Sequence, residues 1–192
     1  QLDCAWASGL ETELGCSEAS AMGQLPAPQD NLVWRAVERL RQRAGVEAGA
    51  VIRLVKRIPA AAGLGGASGD AAAGLLVANR AWGLNWSREK LTDVAAEIGS
   101  DIPFFLNCEP AVYCGRGERL RRVVEFCRLA VVVVRPPGGL RTADVYGNCR
   151  PAERSVPLQP LLSAGQQGNL PLVAKCMTNR LQSAAADLSP WI

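Results

Sequence analysis

The sequence predicts a mixed fold in which helices alternate with strands, and three patterns support that prediction. Between Leu32 and Leu40, apolar residues recur at helical spacing with charged residues between them, which is typical of an amphipathic helix. Residues 50–56 are rich in β-branched side chains and lead through a glycine-rich loop into a mostly apolar helical run at 71–82. Residues 129–134 are uniformly apolar and mostly β-branched, as expected of a strand covered on both faces.

Capping residues predict where the helices begin and end. Asp30 is expected to cap the first helix, and Gly45 is expected to stop it. A later helix is expected to start after Ser87 and to run to Ile98, where Gly99 supplies its C-terminal stop. The remaining elements are expected to be strands at 111–114 and 119–124 and helices at 157–164 and 170–181, the last continuing weakly towards Ala186.

The length of the chain allows more than one domain. At 192 residues it suits either one large domain or two small ones. We place a boundary near Glu125, ahead of the apolar run, so that residues 1–125 and 126–192 form separate domains. The segment before residue 30 alternates only weakly and offers no obvious first strand.

Composition excludes several classes of protein. No apolar run approaches the ~20 residues that a membrane-spanning helix needs, so no membrane partner is expected. The net charge is only +3 and basic residues are scattered among acidic ones, so no nucleic-acid partner is expected. The chain contains no histidine, which excludes Ser-His-Asp, Cys-His and H-E-x-x-H chemistry. Proton transfer must therefore fall to a carboxylate, a lysine or water.

The cysteines indicate a reducing compartment. They are odd in number, form no C-x-x-C pair and have no histidine to complete a zinc site. We therefore expect free thiols, a cytoplasmic location of the bacterial type and no metal site built from protein ligands. The seven are Cys4, Cys16, Cys108, Cys114, Cys127, Cys149 and Cys176.

The glycine-rich loop at residues 59–70 is the most informative segment. Because it has almost no side-chain bulk, its backbone N–H groups can approach an anion, and the following helix N-terminus adds about half a positive charge. It is not a Walker loop, since no Gly-Lys-Ser/Thr follows, and the third glycine of a dinucleotide fingerprint would fall on Ser68. Taken alone, the loop fits either phosphate binding or a tight turn packed beneath a helix.

Several blocks of sequence together resemble the GHMP kinase superfamily. The Lys-Arg-Ile-Pro approach at 56–59 and the Gly-Leu-Gly-Gly turn at 63–66, with Ser68-x-Asp-Ala-Ala behind it, resemble the second motif of that family. The Gly-Ser-Asp-Ile-Pro-Phe-Phe block at 99–105 and the Gly-Arg-Gly-Glu block at 115–118 follow at the spacing of its members that act on a cytidine diphosphate-linked alcohol. Two further matches are Asp-Asn-Leu at 30–32 and Asn-Arg-Leu at 179–181.

The resemblance implies a fold and a function. The fold is α+β, with a ribosomal S5 domain 2-like N-terminal domain over 1–125, part of a ferredoxin-like domain over 126–192, and the active site between them. The implied reaction transfers the ATP γ-phosphoryl group, with Mg²⁺, to the 2-hydroxyl of 4-diphosphocytidyl-2-C-methyl-D-erythritol in non-mevalonate isoprenoid precursor biosynthesis. The alternatives are a GHMP kinase for mevalonate-, homoserine- or sugar-type alcohols, and a non-catalytic nucleotide-binding domain. The oligomeric state is left open.

The resemblance also implies roles for single residues. Asp101 matches the catalytic base, although aspartate after Gly-Ser often serves as a turn or capping residue. Thr142 and Tyr146 match substrate-binding positions, with Tyr146 either stacked on the cytosine ring or buried in the core. Lys56 and Asp70 have structural alternatives, as a solvated lysine and as a charge that stabilises the helix start. The residues that match ATP-binding positions are Asn31, Leu32, Lys56, Pro59, Ala60, Ala61, Ala62, Gly63, Leu64, Gly65, Gly66, Ala67, Ser68, Gly69 and Asp70.

The chain departs from the family's pattern at a few positions. Ala61 and Ala67 stand where glycine is usual, and Gly69 stands where a second serine is usual, so phosphate binding would weaken if either alanine needs positive φ. The family's upstream strand, with the lysine that partners the aspartate, and its third glycine-rich motif do not occur in the sequence. We therefore expect a fragment of a longer enzyme, without measurable kinase activity on its own.

Overall fold

The chain divides into two compact units, Gln1–Arg122 and Val123–Ile192. The computed structural model describes residues 2–5, 10–16, 27–136, 138–150 and 156–192. The assignment of residues 1–125 and 126–192 to an ATP-binding domain and an incomplete second domain stays a prediction.

A three-stranded mixed sheet belongs to the first unit. Strand β3 (Ala50–Lys56) lies in the middle, between β1 (Leu2–Ala5) and β2 (Leu10–Cys16). β1 pairs antiparallel with β3 and β2 pairs parallel with it. The expectation of no obvious first strand was therefore wrong. Strand pairing with a distant segment supplies the hydrogen bonds that make β1 a strand, and weak local alternation gives no sign of that partner.

The N-cap of helix α1 (Leu32–Ala44) lies one residue later than predicted. Asn31 caps it, since the Oδ1 atom of Asn31 accepts a hydrogen bond of 2.9 Å from the Val33 N–H, whereas Asp30 belongs to a preceding 3-10 turn. The predicted end at Gly45 is confirmed, with φ at +63°. The extended backbone that a cap requires falls on residue 31, which places the asparagine at the helix start.

Helix α2 (Gly66–Ala81) starts inside the segment that was predicted to be loop. Gly65, with φ at +66°, is its N-cap, and the Gly69 N–H donates to the Gly65 carbonyl at 2.8 Å. α2 packs closely on α1, because a Cβ atom at Gly74 would lie 3.0 Å from Cγ1 of Val33. The core of the first unit contains buried apolar residues from α1, β3, α2 and the next two helices.

Helices α3 (Arg88–Ile98) and α4 (Ile102–Asn107) follow, and then strands β4 (Ala111–Cys114) and β5 (Arg119–Val123). The start and end predicted for α3 are confirmed, because Ser87 Oγ accepts from the Lys90 N–H at 3.3 Å and Gly99 is the C-cap. The predicted strands also occur, as a two-stranded sheet. Helix α4 was not predicted, because six residues that contain a proline and two phenylalanines show no helical period.

Four helices make up the regular structure described in the second unit. They are α5 (Thr142–Asn148), α6 (Gln159–Gln166), α7 (Leu170–Cys176) and α8 (Leu181–Leu188). The single helix predicted over 170–181 is wrong, because Met177 has extended backbone with ψ at 130°. Asn179 Oδ1 then accepts from the Leu181 N–H at 3.0 Å, which helps to start a new helix.

The apolar run at 129–134 does not form the predicted strand. Its residues have no regular structure, and Val132 is 90% exposed. A β-branched run becomes a strand only where another strand offers hydrogen bonds. No strand occurs in residues 124–136, 138–150 or 156–192 of the described structure, so the run has no partner there.

No helix among the described residues has the combination of length and apolar character that crossing a bilayer requires. The five cysteines whose side chains are described are free. The side chains of Cys4 and Cys16 lie outside the described residues.

Candidate active site

The loop between β3 and α2 is built on left-handed backbone. Ala61, Gly63 and Gly65 have φ values of +54°, +70° and +66°. Glycine adopts these angles freely, whereas alanine there costs about 1–2 kcal/mol. Ala61 is therefore a strained position, and the replacement of glycine by alanine has a physical cost there. Ala67 lies inside α2, where alanine is the most favourable residue, so the same departure is harmless.

The N-terminus of α2 presents backbone donors to the loop. Its cap, Gly65, has no side chain to satisfy them, and no side-chain cap hydrogen bond is formed. The first N–H groups of a helix have no acceptor within the helix, so those of Gly66, Ala67 and Ser68 carry the positive end of the helix dipole. This arrangement is suited to a phosphate group.

Large apolar side chains pack closely against the glycines of this segment. A Cβ atom at Gly65 would lie 2.5 Å from Cζ of Phe105, and one at Gly66 would lie 2.9 Å from Cγ2 of Ile58. A Cβ atom at Gly69 would make an ordinary contact of 3.4 Å with Phe105. Real Cβ contacts essentially never fall below 3.0 Å, so Gly65 and Gly66 cannot be replaced unless these side chains move. The loop thus lies against Phe105, which belongs to the predicted Asp101 block.

Lys56 and Asp70 form an ion pair, in which Nζ of Lys56 donates to Oδ2 of Asp70. Lys56 is only 6% exposed, so its interpretation as a solvated lysine is wrong. Asp70 lies in the second turn of α2, and its carboxylate serves the lysine. A buried ammonium is stable only with a partner of opposite charge. The pair therefore ties the end of β3 to α2 across the glycine-rich loop.

Asp101 immediately precedes α4 but does not cap it. Its backbone has helical angles, with φ at −91° and ψ at −15°, and its side chain makes no cap hydrogen bond. The carboxylate is exposed, and Ser100 Oγ lies 3.4 Å from its Oδ1 atom. The capping interpretation of Asp101 therefore lacks the hydrogen bond that it requires. An exposed carboxylate held by the start of a short helix can accept a proton.

The turn between β4 and β5 lies beside Asp101. A Cβ atom at Gly117, where φ is +109°, would be 3.6 Å from Oδ1 of Asp101. Glu118 closes the turn by accepting a 2.7 Å hydrogen bond from the Arg116 N–H. Hydrogen bonds from the backbone N–H of Glu118 itself and from that of Arg116 hold the pKa of the Glu118 carboxyl below its usual value of 4.5. The structure thus brings together the predicted blocks at 99–105 and 115–118.

Asn31 and Leu32, which match ATP-binding positions, lie at the start of α1. Asn31 is 7% exposed and its side-chain oxygen is engaged in capping, while Leu32 packs against the core. These contacts give both residues a structural role, and a nucleotide contact stays a prediction.

Thr142 and Tyr146, which match substrate-binding positions, lie one turn apart on α5 of the second unit. Tyr146 is 62% exposed, so its interpretation as a core tyrosine is wrong. Residues four apart on a helix share a face, so the hydroxyl and the ring lie on the same side of α5. An exposed ring of this kind can stack on a base.

Sequence reasoning missed two contacts that shape the site. The ring of Phe105 against Gly65 and the turn at Gly117 against Asp101 both join segments that are far apart in the chain. The glycines were visible in the sequence, but no local pattern shows which side chain a glycine admits.

Known proteins similar to this chain are small-molecule kinases. Residues 31–109 match the family described as GHMP kinases N terminal domain. These residues are similar to the N-terminal domain of GHMP kinases, and the predicted α+β fold is confirmed. Among curated proteins, the chain is similar to 4-diphosphocytidyl-2-C-methyl-D-erythritol kinases. It is 42% identical to that of Pelotomaculum thermopropionicum over 93% of this chain and 63% of the relative. The chain is 35% identical to that of Exiguobacterium sibiricum over 94% of this chain and 65% of the relative.

Solved structures show the same likeness. A crystal structure of 4-(cytidine 5'-diphospho)-2C-methyl-D-erythritol kinase matches with a TM-score of 0.66 and 29% identity, covering 98% of this chain and 65% of the other. Homoserine kinase from Cytophaga hutchinsonii matches with a TM-score of 0.62 and 18% identity, over 93% and 64% of the two chains, a likeness of fold alone. The chain therefore spans less than two thirds of the length of these relatives.

Proposed function

We propose that the protein containing this chain is a kinase that transfers the γ-phosphoryl group of ATP to the 2-hydroxyl of 4-diphosphocytidyl-2-C-methyl-D-erythritol, a step of non-mevalonate isoprenoid biosynthesis. The observation that carries the proposal is the contact of Phe105 with Gly65. It joins the helix that follows Asp101 to the glycine-rich loop, so a phosphate-binding segment and an exposed carboxylate belong to neighbouring elements of one unit. The names of the similar proteins supply the substrate.

The glycine-rich loop and the first turn of α2 would hold the nucleotide. Backbone N–H groups at residues 66–68 lie at the positive end of the helix dipole, and Ser68 adds a hydroxyl. Phosphoryl transfer depends chiefly on such positioning and on electrostatic stabilisation of the phosphate oxygens. The buried pair of Lys56 and Asp70 would act by fixing both ends of the loop.

Asp101 would act as the proton acceptor. In the reaction, the substrate hydroxyl oxygen bonds to the γ-phosphorus, its proton passes to the Asp101 carboxylate, and the bond to the bridging oxygen breaks to release ADP. The exposure of this carboxylate and the lack of a cap hydrogen bond support the role. The turn at Gly117 leaves room beside it, since it brings only a glycine towards the carboxylate.

The residues present fit a nucleotide-bound Mg²⁺. The described part of the chain has no cluster of three or more acidic, cysteine or histidine ligands, which suits an ion held mainly by ATP phosphates and water. The Ser68 hydroxyl would supply a protein oxygen to it. When bound, the ion would neutralise charge that develops on the phosphate oxygens.

Tyr146 and Thr142 would bind the cytidine substrate from α5, by stacking and by a hydroxyl hydrogen bond respectively. The small net charge of +3, with its scattered basic residues, supports a small-molecule substrate and no nucleic-acid partner. Free cysteines support a cytoplasmic location.

The test is a coupled assay of ADP release by the full-length protein carrying residues 1–192, with the cytidine substrate, homoserine or mevalonate as acceptor. We expect turnover with the cytidine substrate alone. Asp101→Asn should lower kcat by at least ~100-fold with ATP affinity retained, the usual worth of a positioned base. Asp93→Asn, at an exposed aspartate of α3, is the matched control and should stay within about 2-fold of wild type. Preference for another acceptor, or an active Asp101→Asn, would refute the proposal.

A further inference from the structure

The ring of Phe105 occupies a seat formed by Gly65 and Gly69. A Cβ atom at Gly65 would come within 2.5 Å of the ring, and one at Gly69 would touch it at 3.4 Å. Gly65 is the cap of α2 and Gly69 lies one turn further along the helix. The ring therefore lies against the first turn of α2, whose N–H groups face the glycine-rich loop.

The same residue is rigidly linked to Asp101. Asp101 precedes α4 directly, and Phe105 follows four residues later, which is about one helical turn. Ile102 and Leu106 anchor α4, since they are 0% and 1% exposed in the core of the first unit. Phe105 is only partly buried and packs at the edge of that core. Its distinctive contact is with the glycine seat.

We propose that Phe105 is a positioning residue that sets the distance between Asp101 and the phosphate-binding N-terminus of α2. This inference rests on the proposed kinase function. The acceptor hydroxyl must meet both the carboxylate and the γ-phosphate, and a misplacement of about 1 Å can cost 10²-fold in rate. The aromatic ring sets the spacing because it fills the gap between α4 and the start of α2, where Gly65 admits no Cβ atom beside the ring and Gly69 lies in contact range of it.

Phe104 provides a matched control. It has the same chemistry and lies on the same short helix, where it is 37% exposed. Its ring meets Phe105 edge-on at 5.1 Å and Tyr113 at 5.9 Å, whereas the three atoms nearest a Cβ at Gly65 or at Gly69 all belong to Phe105. Replacement of Phe104 should therefore remove aromatic packing without changing the seat.

The first experiment compares Phe105→Leu with Phe104→Leu in the full-length protein. Phe105→Leu should lower kcat by about 10- to 100-fold while KM for ATP changes only a few-fold, because the variant misplaces Asp101 relative to the phosphate and leaves nucleotide binding intact. In the nucleotide-free protein, amide hydrogen exchange of the backbone at residues 60–69 should become faster in Phe105→Leu alone. Equal effects of the two variants on kcat and exchange would overturn the proposal and leave Phe105 with packing alone.

The second experiment tests the seat by size exchange. Gly65→Ala should lose activity through the clash with Phe105 and through its φ of +66°. Combining Gly65→Ala with Phe105→Leu removes the clash. The fold-loss of activity in the double variant should therefore be at least about 3-fold smaller than the product of the two single fold-losses. Additive losses would overturn the proposal. If Phe105→Leu does not fold, Phe105→Met, which conserves more of the volume, replaces it in both experiments.

The outcomes separate this inference from the proposed function. A wild-type protein without turnover would refute the kinase function, whereas the exchange comparison of Phe105→Leu and Phe104→Leu would still report on the seat. An active wild type in which Phe105→Leu matches Phe104→Leu would refute the positioning role alone.

Discussion

Removal of either partner of the Lys56–Asp70 pair should destabilise the first unit, and the two removals should differ. Asp70→Asn leaves a buried ammonium without its carboxylate, since the Lys56 side chain is only 7% exposed. Lys56→Met keeps most of the side-chain volume and leaves a carboxylate that is 28% exposed and can still be hydrated. The loss should therefore be larger when the aspartate is replaced.

The magnitude follows from these exposures. Removal of one partner of a fully buried pair costs about 3–5 kcal/mol. The partial exposure of Asp70 admits water near the ammonium, which reduces the expected loss for Asp70→Asn to about 2–3 kcal/mol. For Lys56→Met we expect about 1 kcal/mol, because the remaining charge is screened by solvent. The double variant should resemble Lys56→Met, since the buried ammonium is absent from both.

Urea unfolding followed by tryptophan fluorescence measures these differences. Trp82 and Trp86 pack against the core of the first unit, so their emission reports on its unfolding. Equal losses for Asp70→Asn and Lys56→Met would refute the reasoning, and so would a double variant less stable than Asp70→Asn. Either result would mean that the stability does not depend on the attraction between the Asp70 carboxylate and the buried ammonium.

Three further predictions test other parts of the structure. Ala61→Gly should relieve the strain of a left-handed backbone and raise the free energy of unfolding by about 0.5–1 kcal/mol, whereas Ala67→Gly in α2 should lower it by about as much. Urea unfolding measures both changes, and changes of the same sign would contradict the prediction. Tyr146→Ala should weaken binding of the cytidine substrate by about 1–3 kcal/mol and leave ATP binding unchanged, as measured by calorimetry. Equal losses of affinity for both ligands would indicate a structural role. The Arg41 hydrogen bond lowers the pKa of the Glu38 carboxyl below 4.5, so the stabilisation that Glu38 contributes is complete above pH 4.5 and is lost as pH falls through the lowered pKa. The difference in free energy of unfolding between wild type and Glu38→Gln should therefore shrink on acidification. A difference that stays constant with pH would exclude this linkage.

Local signals predicted the parts of the fold that local chemistry decides. Ser87 satisfies an N–H group of α3, and Gly45 takes the left-handed angle that ends α1, so both boundaries were readable from neighbouring residues. Strand β1 exists because β3 pairs with it, and a partner far along the chain leaves no local trace. The run at 129–134 shows the converse, since β-propensity without a neighbouring strand gives no strand.

The candidate site was predictable in its parts and not in its assembly. The glycine-rich loop and Asp101 stood out as motifs, because their residue types suit phosphate and proton transfer. The pairing of Lys56 with Asp70 and the seating of Phe105 on Gly65 depend on how β3, α2 and α4 meet. Packing of this kind is decided by the shapes of distant side chains, which periodicity does not encode.

The close crossing of α1 and α2 at Gly74 has a consequence for mutational tolerance. In a saturation library, Ala73 is exposed on α2 and should accept most residues other than proline. Gly74 is its immediate neighbour, and a Cβ atom there would meet Val33 at 3.0 Å and Val37 at 3.3 Å. Position 74 should therefore accept alanine only with a shift of α1 and should reject larger side chains. Adjacent columns of such a library would differ sharply, although helix propensity alone favours alanine at both.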